Sequence, residues 1–211
     1  MGQTNYLIIG LLSVASIVSA QNFEGEIVYK VSVTSKMQDV TDMQLSIMMG
    51  TRQNYFFKSG NYKVIINGSV FNMQFYNVAS NTLITKLSTS DTLYSMNAGK
   101  GDDPIVYQKI IRDSIKVMGI KCDAFTIRTK AGKNSTYFYN SRYSLDPVNY
   151  KGHRLGNLDV VMQAIQAMPL RITMEDAQFK FVSEATDINR KELDQEFFNP
   201  PKDAPVKVKE R

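Results

Sequence analysis

From Phe23 to Met174 apolar residues recur at every second position over short runs, and turn-forming residues break the pattern about every 8–12 residues. A period of two sends alternate side chains to opposite faces of a strand, so the chain is bound to an antiparallel, β-rich architecture. Ile27, Tyr29, Val31 and Val33 alternate with Val28, Lys30, Ser32 and Thr34. Met43, Leu45, Ile47 and Met49 predict a second strand. Tyr55–Lys58 and Tyr62–Ile66 are joined by Ser59-Gly60-Asn61. Asn67-Gly68 then marks a tight hairpin turn before the run Val70–Val78. Leu83–Leu87, Thr92–Met96 and Ile105–Ile111 continue the meander. Asp113–Tyr139 reads as three more strands, turned at Gly119 and at Ala131-Gly132-Lys133, where glycine accepts positive φ.

After Tyr139 the periodicity changes. Ser141–Gly156 is irregular, and then Leu158, Val161, Met162, Ile165 and Met168 fall on one stripe at helical period. Asn157 is the predicted N-cap, Asp159 suits the positive end of the helix dipole, and Pro169 is the predicted terminator. Leu170, Ile172 and Met174 resume the alternation, followed by Phe179 and Phe181, with Ile188 extending the same face beyond a bend. A meander with one late amphipathic helix is an α+β single domain, and the helix must bury its stripe on one face of the sheet.

The ends of the chain read differently. Tyr6–Val18 is largely apolar and uncharged, and Val18-Ser19-Ala20 offers small residues at the −3 and −1 sites of an export signal, so residues 1–20 are expected to be removed before Gln21. Residues 21–198 form the domain, and 199–211, with three prolines and a Lys-rich end, read as a disordered basic tail. No segment of the mature chain is apolar enough to span a membrane. The net charge of +5 is spread along the chain without basic clusters, which excludes a nucleic-acid surface. The single cysteine, Cys122, excludes an internal disulfide and reads as a buried thiol.

No catalytic constellation is visible, and no cofactor or metal is implied. His153 is the only histidine and reads as a surface-loop residue. The adjacent acids Asp102-Asp103 and Glu175-Asp176 read as turn-solvating groups. Ala98–Pro104 has glycines and Lys100 but no following helix with a Ser or Thr beside the lysine, so it is a loop without phosphate chemistry. Asn67-Gly68-Ser69 and Asn134-Ser135-Thr136 fit the glycosylation acceptor pattern, a match that would be accidental in a bacterial protein. Ten methionines follow residue 20, the eleven of the chain less Met1. Methionine is unbranched and polarizable and can line an adaptable apolar surface as readily as fill a core.

Gly119-Ile120-Lys121-Cys122-Asp123-Ala124-Phe125, the aromatic Tyr137-Phe138-Tyr139, Met168-Pro169-Leu170 and the closing Phe197-Phe198-Asn199-Pro200 together resemble a family of Gram-negative envelope proteins of unknown function. That family is similar to the LolA-type fold. The resemblance implies a curved antiparallel half-barrel with helices on its concave face, in the periplasm or another part of the cell envelope. It also implies a lipid or lipoprotein acyl chain as ligand. On this reading Leu158, Val161, Met162, Ile165 and Met168 form part of the ligand's wall between helix and sheet. The alternative is a structural or protein-interaction domain with a filled core; a hydrolase with dispersed site residues is the third reading.

Overall fold

The computed structural model of the chain describes residues 22–101, 103–201 and 203–208; the expected signal segment and its cleavage site lie outside them. Twelve strands make one sheet: β1 (Gly25–Ser35), β2 (Arg52–Lys58), β3 (Asn61–Ile66), β4 (Phe71–Asn77), β5 (Thr82–Leu87), β6 (Leu93–Asn97), β7 (Ile105–Val117), β8 (Ile120–Thr129), β9 (Asn134–Ser144), β10 (Ala167–Glu175), β11 (Phe179–Arg190) and β12 (Val206–Val208). Their order is β12-β6-β5-β4-β3-β2-β1-β11-β10-β9-β8-β7, so the sheet is open, with β12 and β7 at its two ends. Every neighbouring pair is antiparallel except β12, which runs parallel to β6. The α+β meander expected from the sequence is therefore the observed architecture.

The tight turns follow the glycine logic. Met118 and Gly119 both take positive φ, 50° and 77°, as do Ser59 and Gly60 at 48° and 83°. Two consecutive positive φ values are the signature of a two-residue hairpin turn whose twist matches its strands. The expected bend before Ile188 is a bulge. β1 and β11 slip register between Val28 and Tyr29, whose partners are Asp187 and Ala185. Thr186 is the extra residue, and its hydroxyl donates to the Val28 carbonyl at 3.2 Å. The extra residue moves the inward phase from Phe181, Ser183 and Ala185 to Ile188.

Four expectations are corrected. Met43–Met49 is no strand but the helix α1 (Asp42–Met49). The Thr41 hydroxyl accepts from the Gln44 N–H at 3.2 Å, and the Gln44 side chain accepts from the Thr41 N–H at 2.8 Å. This capping box, with Gly50 at φ 82°, overrides an apolar alternation built from good helix formers. Asn67-Gly68 is not a two-residue turn. Residues 67–70 form a loop held under α1, where Ser69 and Val70 donate to the Ile47 and Met48 carbonyls at 2.8 and 3.2 Å. The late helix, α2 (Leu158–Ile165), ends before Pro169 because Gln166 turns left-handed at φ 49°. Met168 and Pro169 already belong to β10, so Met168 does not lie on the helix stripe. Asn157 is itself left-handed at φ 58° and gives no side-chain cap; its amide donates to the Asp103 carbonyl at 3.0 Å.

An eight-residue helix is too short to persist alone, so α2 depends on the face it covers. Val161 and Ile165 are buried among Phe125, Ile127, Tyr137 and Tyr139 of β8 and β9. Each contributes about 1.5–3 kcal/mol of burial. Met162 and Met168 join a second cluster with Tyr29, Cys122, Tyr150 and Leu170. Cys122 is fully buried, as expected of a structural thiol.

The C-terminal segment is a strap over the outer face. A 3₁₀ turn at Gln195–Phe198 brings the Phe197 ring to 4.9 Å from Phe56, and the Lys63 ammonium to 3.8 Å from the Phe197 ring. Beyond it, the Leu93 N–H donates to the Pro205 carbonyl at 2.8 Å, and Val206–Val208 adds to β6. The tail expected to be disordered thus supplies an edge strand within the described residues.

Candidate functional site

Leu83 on β5 and Tyr137 on β9 line the same cleft. Seven strand spacings separate β5 from β9, roughly 34 Å in a flat sheet. The sheet must curl for both to face one space, and the cleft is its concave side. The cleft has a volume of about 410 Å³, within the range of small-molecule sites. Its wall is mainly apolar: Ile66 and Leu83 on one flank, Ile172, Met174 and Phe181 on the other, and Met49 from the end of α1. Leu155, in the loop preceding α2, and Leu158, the first residue of α2, cover one side.

Two further spaces adjoin it. Phe71, 40% exposed, is shared with a pocket of about 440 Å³ bounded by Leu87, Tyr94, Met96 and Val208 near the β12 edge. Lys133, Leu155 and Gly156 are shared with a pocket of about 220 Å³ beside Asp103 and Asn157. Each of these spaces thus shares lining residues with the cleft.

The cleft's polar groups sit on an aromatic floor. The rings of Tyr62 and Tyr76 stack at 5.1 Å, and Tyr76 lies 4.6 Å from His153. The Tyr62 hydroxyl is 2.9 Å from His153 Nε2. His153 is only 3% exposed, which corrects its expected place on a surface loop. The stretch Tyr150–Gly156 folds inward, and the His153 carbonyl accepts from the Asp159 N–H at 2.9 Å. Burial pushes the His153 pKa below its ordinary 6.5, so the ring is neutral and shares a hydrogen bond with Tyr62 through Nε2. Its Nδ1 has no hydrogen-bond partner among the described residues. Burial also raises the phenols, Tyr55 to about 12, so the tyrosines stay protonated donors.

Of the five residues expected to form the ligand wall, Leu158 lines the cleft. Val161, Met162, Ile165 and Met168 are packed in the core beneath it. Met49, Tyr55, Phe71 and Phe181 line the cleft and were missed as site residues; for the three aromatics the signal was only the inward phase of strand alternation, and Met49 at the end of α1 carried none. The paired acids are occupied. Glu175 bonds Lys36 at 2.8 Å, and Asp176 accepts from the Gln178 and Phe179 N–H groups at 2.8 and 3.0 Å. Asp102 lies outside the described residues. Among the described residues no cluster of three or more His, Cys, Asp or Glu is placed to hold a metal, and no helix is long and apolar enough to cross a membrane.

No protein-family profile matches the chain, and no curated protein matches it. Among solved structures, the chain is similar to the crystal structure of a LolA superfamily protein from Nitrosomonas europaea. The match spans 85% of this chain and 91% of that one, at 12% identity and a TM-score of 0.42.

Proposed function

We propose that the concave cleft binds an apolar ligand of the lipid or acyl-chain class, and that the chain acts as a binding protein of the cell envelope after export. The carrying observation is the cleft itself, about 410 Å³ and lined by Ile66, Leu83, Ile172, Met174 and Phe181. Each CH₂ removed from water gains about 0.8 kcal/mol, so a short stretch of alkyl chain supplies useful affinity. Export rests on the apolar, uncharged segment Tyr6–Val18 and the small residues before Gln21.

A second reading, a protein-interaction module, draws on exposed apolar side chains. Met43 and Ile47 on α1 are 73% and 57% exposed, and Val106, Ile110 and Ile111 lie open along the edge strand β7.

Native mass spectrometry of the full-length chain exported into a bacterial periplasm, followed by lipid extraction, tests the first reading. The expected result is a stoichiometric lipid that is lost in the double variant Leu158→Gln/Ile172→Gln and kept in Ile165→Ala. Ile165→Ala costs about 2–5 kcal/mol of stability because it opens the core and not the cleft. A ligand-free protein that also fails to take up a fluorescent fatty acid ends the first reading in favour of the second.

A further inference from the structure

Lys133 is the one feature of the cleft that an apolar ligand alone does not explain. It is the only charged residue lining the central cleft among the described residues, His153 being neutral. It sits in the β8–β9 turn, half-buried, at the junction with the smaller side pocket. Its ammonium makes no hydrogen bond or ion pair among the described residues. Among the described residues, neither Glu175 nor Asp103 forms an ion pair with it. Glu175, which faces Asn134 in the β9–β10 ladder, is bound to Lys36 at 2.8 Å. Asp103, which shares the side pocket, accepts from the Ala131 N–H at 3.1 Å. A cation beside an apolar wall loses hydration, and a counter-charge supplied by the ligand recovers it.

Resting on the cleft as the binding site, we propose that Lys133 holds the acidic head of the ligand, so that the cleft selects a single alkyl chain ending in an anionic oxygen acid. The ammonium meets the carboxylate or phosphate oxygens in a charge-assisted hydrogen bond. The chain lies between Ile172 and Leu83 and passes Phe71 toward the far pocket. The competing explanation is that Lys133 merely lays its methylenes along apolar surface with its head in water.

The test is displacement of N-phenyl-1-naphthylamine from the full-length chain at pH 8 and low salt by four ligands of equal chain length: dodecanoate, dodecyl phosphate, methyl dodecanoate and dodecyltrimethylammonium. Dodecanoate and dodecyl phosphate are expected to bind about tenfold tighter than the ester, and the ammonium amphiphile weakest. K133M is expected to bring both acids down to the ester, and K133R to keep the preference, with thermal stability unchanged in both. The preference should shrink as salt is raised. Whichever acid binds tighter identifies the source, free fatty acid or lipid phosphate. Equal binding of acid and ester, or a preference that survives in K133M, overturns the role of Lys133 while leaving the cleft as a binding site. Failure of all four ligands and of the probe to bind overturns both.

Discussion

His153 makes folding sensitive to pH between about 7 and 5. It is the only histidine in the chain. It is buried against Tyr62 and Tyr76, with Nδ1 unpartnered among the described residues. Desolvation lowers its pKa, and the Asp159 carboxylate, at the start of α2, opposes this in part. In the unfolded chain the same ring titrates near 6.5. Below that pH the unfolded state binds more protons than the folded state, so stability is complete above about pH 6.5 and falls as pH falls. The slope cannot exceed about 1.36 kcal/mol per pH unit, because one proton is involved. From pH 7 to 5 the ceiling is about 2 kcal/mol, reached when the folded protein takes up no proton over that range. That is a measurable part of the about 5–15 kcal/mol that holds a domain together. Urea unfolding followed by circular dichroism at pH 7.0, 6.0 and 5.5 measures it. His153→Gln is expected to be nearly flat over this window while the wild-type chain loses stability steadily. A His153→Gln variant with the wild-type slope, or a flat wild-type profile, refutes the reasoning.

Two other outcomes are expected. Cys122 is fully buried, its thiol donates to the Ile120 carbonyl at 3.4 Å, and burial raises its pKa. The native protein should therefore react with a thiol reagent at least about a thousandfold more slowly than the urea-unfolded chain, and labelling within minutes at pH 8 would contradict that burial. Gly25→Ala and Gly119→Ala should separate widely. A Cβ on Gly25 would stand 2.2 Å from the Asn189 carbonyl oxygen and force β1 from β11, whereas Gly119, at φ 77°, has nothing within 4 Å. Gly119→Ala then costs only left-handed strain of about 1–2 kcal/mol, and urea midpoints that rank the two the other way would undo the argument.

The strands were legible because half-buried strands leave a period of two, and β1 shows it along most of its length. Gly119 and Gly132, at φ 77° and 87°, announced their turns because few other residues accept that backbone. α2 was legible from Val161, Met162 and Ile165, but its end was not. Met168 continues the helical spacing by coincidence, and Gln166, which breaks the helix, carries no sequence mark of doing so. α1 hid because Met43, Leu45, Ile47 and Met49 alternate as a strand would; its signals were Thr41, Gln44 and Gly50. The candidate site was the least legible part. Of the five residues placed there from the helix stripe, Leu158 reaches the cleft, and the helix spends the others on the core.

The sequence by itself determined the meander, the hairpin turns, the presence of a late helix and the inward phase of most strands, because each depends on residues within a few positions of one another. Only the tertiary structure decided that Leu83 and Tyr137 face one cleft, that His153 turns inward onto Tyr62, and that the turn at Gln195–Phe198 packs on the outer face while Val206–Val208 joins the sheet edge. Alternation says that a strand has two faces; it does not say which is covered. Whether strands seven spacings apart meet is set by twist and bulges summed across the whole sheet, such as the slip at Thr186, and no local stretch of sequence carries that sum.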